Sequence, residues 1–156
     1  MARELLASPP LMKITVNRIP SEGLHEDGRM DAAALDLERS DIHPEGAVAV
    51  SAFATRAERD VVVQAEIRCT VRLSCGRCLR EFEQELKTSG IWAYEVQPSD
   101  VIDLTDDVRQ EVLLAYPMTA VCDPACKGLC ATCGQNLNDG SCPHHAESGT
   151  DGPSKA

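Results

Sequence analysis

The run from Cys122 to His145 constrains this chain more than any other stretch. It holds five of the eight cysteines and two of the four histidines, set among glycines and polar residues that cannot bury a core of their own. Thiolates and imidazoles at short spacings are the donor set of tetrahedral zinc, and a closed four-ligand site holds together segments that burial alone would leave unfolded. An even number of cysteines would also suit disulfides in a secreted chain. The first ten residues, however, lack the apolar stretch of a signal peptide, and no run approaches the ~20 apolar residues of a membrane span. We therefore expect a cytoplasmic protein, in which thiols stay reduced and clustered cysteines point to metal.

Cys-x-x-Cys lets two thiolates of one tight turn bind a metal while backbone N–H groups donate to the sulfurs. Two such pairs occur, Cys75/Cys78 and Cys130/Cys133, the second followed by the permissive Gly134. Cys122/Cys126 and Cys142/His144 can complete two sites. The favoured assignment is Cys75, Cys78, Cys122 and Cys126 for a site joining a hairpin to a helix end, and Cys130, Cys133, Cys142 and His144 for a local C-terminal site. A single ribbon-like site, Cys75/Cys78 with Cys130/Cys133, is the rival, and His145 can replace His144. Redox-active thiols are another use of Cys-x-x-Cys, but there one pair at a helix N-terminus suffices and the other cysteines go unexplained. Catalytic zinc is not expected: cysteine-rich coordination leaves no open position for water, and no His-Glu-x-x-His run supplies a base. The expected protein is not an enzyme, and no small-molecule substrate is evident.

The rest of the chain reads as α+β, an antiparallel β-sheet with one main α-helix and a zinc-bound C-terminal extension. From Val61 to Cys75 the period is two: Val61, Val63, Ala65, Ile67, Cys69, Val71, Leu73 and Cys75 share one face, and Gln64, Glu66, Arg68, Thr70, Arg72 and Ser74 the other. Cys69 is thereby a buried strand thiol, a small hydrophobe and not a ligand. Ala47 to Ala57 supplies the preceding strand, and Phe82, Leu86, Trp92, Tyr94 and Val96 the returning one, so Cys75 to Cys78 falls at a hairpin tip. Lys13 to Asn17 reads as a short strand, Ser21 to Asp31 as a loop, and Asp41 to Gly46 as a turn by its proline and glycine. Asp103 is the expected N-cap of a helix whose Leu104, Val108, Val112 and Ala115 lie at helical spacing, with Pro117 ending it. His25 and His43, isolated in polar surroundings, are expected at the surface.

With 43% hydrophobic residues in 156 the composition is globular, and a formal net charge of -10 argues against a protein that coats nucleic acid, which needs net positive surface. Against that background, residues 56 to 80 carry six arginines and three acidic residues. Arg68 and Arg72 on the outward parity, with Arg77 and Arg80 at the tip, can form a stripe suited to phosphates, joined by Lys127. A solvated sheet face is the plainer alternative.

Cys75-Gly-Arg-Cys78-Leu79 after a strand, the helix Thr105 to Ala115 running into Tyr116-Pro117, and Cys126-Lys-Gly-Leu-Cys130-x-x-Cys133-Gly-x-Asn136-Leu-Asn138 together resemble the YceD family, bacterial and plastid proteins named for accumulation of large-subunit ribosomal RNA. The resemblance implies a YceD-like domain over 11–145, with sheet and helix in 11–121 and the cysteine-rich zinc-binding extension in 122–145. A flexible leader over 1–10 and a disordered tail over 146–156 would flank it. It implies a non-enzymatic ribosome-biogenesis factor supporting accumulation or maturation of 23S ribosomal RNA, whose partner is the pre-ribosomal large subunit, through RNA or a ribosomal protein. Cys75, Cys78, Cys122, Cys126, Cys130 and Cys133 carry over from the family. Cys142-Pro-His144 stands where many relatives have Cys-x-Cys. The alternatives are a module binding a basic ribosomal protein without RNA contact, and a redox-sensitive zinc holdase.

Overall fold

Alternation of apolar and polar residues builds the central sheet. The computed structural model describes residues 12–140 and 142–146; the leader over 1–10, the tail beyond residue 146 and the side chain of His145 lie outside the described residues. In chain order the strands are β1 (Lys13–Thr15), β2 (Leu24–Asp31), β3 (Ile42–Ala57), β4 (Asp60–Ser74), β5 (Glu81–Glu95) and β6 (Val101–Asp103), followed by helix α1 (Thr105–Ala115) and the single turn α2 (Pro143–Ala146). Strands β2-β3-β4-β5 form one sheet in that order, and β1 pairs with β6 in a second, antiparallel, two-stranded one. The chain falls into two compact units, one of residues 1–72 and 83–116, the other of residues 73–82 and 117–156.

In the first unit, β4 keeps strict parity: every odd residue from Val61 to Val71 is buried, Cys69 among them. Val48, Val50, Ala52 and Ala54 of β3 and Met30 of β2 are buried likewise. Helix α1 contributes Val108 and Val112 to the buried set and its cap residue Leu104 joins them, and the Tyr94 hydroxyl on β5 donates to the Asp107 carboxylate of the helix. Arg109 Nε donates to the Leu35 carbonyl (2.9 Å) and the Tyr116 hydroxyl to that of Leu37 (2.7 Å), so the turn after β2 is tied to the middle and the C-terminal end of the helix.

Three local expectations are corrected. Ser21 to Asp31 is not all loop: Leu24–Asp31 pairs residue for residue with Ala54–Ala47. Only Met30 of this edge strand is buried, so its pattern carries no apolar alternation. Asp41 to Gly46 is not a turn, because β3 starts at Ile42. Pro44 is tolerated there since pairing with β2 reaches only Ala47, leaving no ladder bond on that side for its missing N–H. Asp103 is not the N-cap. It ends β6, Leu104 takes the cap position, and Asp103 Oδ1 instead accepts the Thr105 N–H (3.0 Å) from one place upstream.

Candidate metal centres

Both Cys-x-x-Cys pairs fold into the same backbone turn within the second unit. At the β4–β5 hairpin tip the Leu79 N–H donates to the Cys75 carbonyl (2.9 Å), and in the C-terminal segment the Gly134 N–H donates to that of Cys130 (2.9 Å). The residue after the second cysteine is left-handed in each, φ 62° at Leu79 and 75° at Gly134. Such a turn aims N–H groups at the first sulfur. Cys75 Sγ accepts from the N–H groups of Arg77 (3.4 Å) and Cys78 (3.5 Å).

The structure brings together the eight expected residues in two groups of four. Ligand atoms of Cys75, Cys78, Cys122 and Cys126 lie within 4.8 Å of one another, as do those of Cys130, Cys133, Cys142 and His144. The rival pairing of Cys75/Cys78 with Cys130/Cys133 is not the one assembled. In the first group Cys75 Sγ and Cys126 Sγ are 3.8 Å apart and Cys78 Sγ and Cys122 Sγ 3.6 Å. A tetrahedron with Zn–S bonds of about 2.3 Å has edges of about 3.8 Å, whereas a disulfide needs about 2.05 Å. The spacing in this group therefore fits four thiolates around one ion and not a disulfide. Three of the first four are buried and Cys122 half-buried; in the second group Cys130 and Cys142 are buried while Cys133 and His144 are exposed.

Electrostatics separate the thiols. Burial opposes ionisation of Cys75, but the N–H groups of Cys78, Cys122 and Arg77 outweigh it and bring its pKa down to about 6. The Asn138 amide lowers that of Cys126 against burial, and the Cys133 and Thr132 N–H groups lower that of Cys130 to about 6. Cys122 moves the other way, to about 12, through burial and hydrogen bonds to its sulfur neighbours. Cys69, in the first unit, joins neither group, and burial raises its pKa. Cys75 and Cys126 in the first group and Cys130 in the second are thus shifted toward the thiolate, the form that binds metal.

The loops between the ligands are held by residues that spacing alone did not single out. Asp123 accepts the Ala125 N–H (2.7 Å) through Oδ1, and its carbonyl accepts the Cys126 N–H (2.9 Å), closing the Cys122–Cys126 turn. Arg77 donates through one nitrogen to the carbonyls of Pro124 (3.3 Å) and Cys126 (3.2 Å). Gly128, at φ 76°, passes so close to the hairpin that a Cβ would lie 3.3 Å from the Arg77 carbonyl oxygen. Short amides after a Cys-x-x-Cys-Gly run are the one sequence cue to Asn136 and Asn138.

Most of the expected arginine contacts are engaged inside the protein. In the first unit Arg72 pairs with Glu45, and Arg68 is exposed with Glu66 at 4.0 Å. In the second unit Arg77 is spent on carbonyls, Arg80 pairs with Asp139 (2.7 Å), and the Lys127 side chain is exposed.

Fold and site together define a small α+β protein whose C-terminal unit carries two cysteine-rich groups, each of which could hold a metal ion. Residues 93–153 match the family model YceD, described as "Large ribosomal RNA subunit accumulation protein YceD". Among curated proteins the chain is similar to "Large ribosomal RNA subunit accumulation protein YCED homolog 1, chloroplastic" of Arabidopsis thaliana, 49% identical over 41 residues. It is similar also to the protein of that name from Zea mays, 51% identical over 37 residues. These stretches cover 26% and 24% of this chain, and 13% of each relative, so the chain spans a small part of their length. No solved structure matches the chain. No helix among the described residues is long and apolar enough to cross a membrane.

Proposed function

We propose that the chain is a non-enzymatic factor that supports accumulation or maturation of 23S ribosomal RNA, with two structural zinc ions shaping its C-terminal unit. The observation that carries this reading is the overlap of the YceD match at 93–153 with residues that complete both four-ligand groups. Zinc suits sulfur-rich tetrahedral sets of four thiolates, or three thiolates and an imidazole. When bound it supplies a cross-link with every coordination position taken by protein. The thiolates of Cys75, Cys78, Cys122 and Cys126 would hold the hairpin tip to the Cys122–Cys126 turn, and Cys130, Cys133, Cys142 and His144 would close the C-terminal loop. Such thiols call for a reducing compartment such as the cytoplasm.

The partner is the pre-ribosomal large subunit. Direct RNA contact would fall to Arg68 and Lys127, since Arg72, Arg77 and Arg80 are already engaged. That engagement, with a net charge of -10, favours a second reading in which the acidic surface binds a basic ribosomal protein. Depletion of the protein in its own cells should lower 23S relative to 16S ribosomal RNA; an unchanged ratio would sink the reading. Pull-down of the tagged full chain with and without ribonuclease separates the two modes: a partner lost with ribonuclease is held through RNA, and one retained is held through protein.

A further inference from the structure

The two cysteine groups share more than a short linker. Residues 126–130 and 135–139 run against each other: the Cys130 N–H donates to the Gln135 carbonyl (2.8 Å), the Leu137 N–H to that of Gly128 (2.9 Å), and Leu129 bridges Asn136 in antiparallel fashion. At the end of this ladder the Lys127 N–H donates to Asn138 Oδ1 (2.9 Å). That bond fixes the amide's orientation. With its oxygen committed to a backbone donor, Nδ2 faces the other way and donates to Cys126 Sγ (3.2 Å) and to Asn136 Oδ1 (2.9 Å). Both amide hydrogens therefore have acceptors, and one acceptor is a sulfur of the first group. Asn138 itself sits in the loop bracketed by Cys133 and Cys142 of the second group. The adjacent Asp139 pairs with Arg80, two residues from Cys78, so a second link runs between the same segments.

We infer that Asn138 is a positioning residue common to both centres: carried on the loop that the second centre closes, its amide holds the Cys126 sulfur of the first, so that loading either centre raises the affinity of the other. This rests on the reading of both groups as metal centres. An N–H donor on a thiolate ligand offsets part of its charge and fixes the sulfur's direction, and loss of such outer-shell partners typically costs 10–100-fold in metal affinity. Because coupling in binding free energy is reciprocal, the effect must run in both directions.

The test uses the full chain, stripped and reloaded without oxygen with cadmium-113, whose resonance distinguishes a four-sulfur site from one with three sulfurs and a nitrogen. Asn138→Asp keeps the oxygen that accepts the Lys127 N–H while removing the donor to sulfur; Asn138→Ala removes both. We expect both variants to shift the four-sulfur resonance with the mixed one in place, and chelator competition to show about 10–100-fold weaker zinc binding at the first centre. Disabling the second centre by Cys133→Ser with His144→Ala should weaken the first without touching its ligands. An unshifted four-sulfur resonance with unchanged affinity in both Asn138 variants overturns the role of Asn138. A first centre indifferent to loss of the second overturns the coupling. Wild-type protein that takes up no metal at all contradicts the metal reading itself, and the inference falls with it.

Discussion

Gly128 lies between Cys126 and Cys130, where the cysteine-rich segment passes close to the hairpin tip. Its φ is 76°, and an added Cβ would meet the Arg77 carbonyl oxygen at 3.3 Å and the Arg77 Cβ at 3.6 Å. Gly134 has nearly the same φ, 75°, with open space around it. Left-handed backbone costs a residue with a Cβ about 1–2 kcal/mol, and the lost freedom of the unfolded glycine returns about 0.4–1 kcal/mol. Gly134→Ala should therefore cost about 1 kcal/mol by the same balance. Gly128→Ala must also displace the backbone of Arg77, whose guanidinium holds the Pro124 and Cys126 carbonyls and resists the shift. A modest overpacking cost brings its total to about 2 kcal/mol. Since folding of a metal-built segment is linked to metal binding, and 1.4 kcal/mol is tenfold, zinc affinity should fall about fivefold for Gly134→Ala and about 30-fold for Gly128→Ala. Chelator competition on the full chain reads both numbers. Equal losses in the two variants would refute the close approach at Gly128, and no loss in either would refute the coupling of these turns to metal.

Leu79 occupies in the hairpin knuckle the left-handed position that Gly134 occupies in the other, and it is 66% exposed, so its side chain contributes little. Leu79→Gly should stabilise the metal-loaded protein by up to about 1 kcal/mol in denaturant unfolding, the relief of strain less the entropy of glycine. Arg77→Met removes both carbonyl contacts and should lower zinc affinity about fivefold, while Arg77→Lys, whose flexible ammonium is less preorganised than the planar guanidinium, should recover only part of that loss in the same competition assay. The chain has two tyrosines, both with raised pKa: Tyr94 through burial and the Asp107 carboxylate, Tyr116 through burial and nearby Cys69, to about 12. The neutral phenol of Tyr116 therefore stabilises the fold fully below about pH 10 and loses that contribution as pH rises through about 12. Phenolate absorbance at 295 nm should stay low in native protein at pH 10.5 and rise at once on unfolding; half-ionised native tyrosine at that pH would contradict the burial.

Legibility in the sequence followed burial. Strand β4 was readable because one face is wholly apolar, and Cys69 could be set aside by its parity alone. Strand β2 was not readable, since an edge strand with Met30 as its one buried residue has no pattern to show, and β6 is a three-residue strand defined by its partner β1. Pro44 and Gly46 carry turn chemistry, yet the strand absorbs them where pairing with β2 has stopped. At the cysteine groups, two-residue spacing announced the knuckles, and their partners followed from what was left to fill four positions. Gly128 and Asn138 stayed silent because their roles depend on residues 126–130 meeting 135–139, a tertiary pairing with no periodic signature. The partners of the arginines stayed silent for a related reason: outward parity shows where a charge points, and not that Glu45 or Asp139 already answers it.

The proposed function stands on eight side chains building two closed centres of different composition. Native mass spectrometry of the full chain, purified without added metal or chelator and paired with zinc-edge X-ray absorption, tests it most directly. Two zinc ions per chain are expected, with an average first shell of seven sulfurs to one nitrogen, set by Cys75, Cys78, Cys122, Cys126, Cys130, Cys133, Cys142 and His144. A single zinc, an all-sulfur shell, or protein isolated with intact thiols and no metal would contradict it.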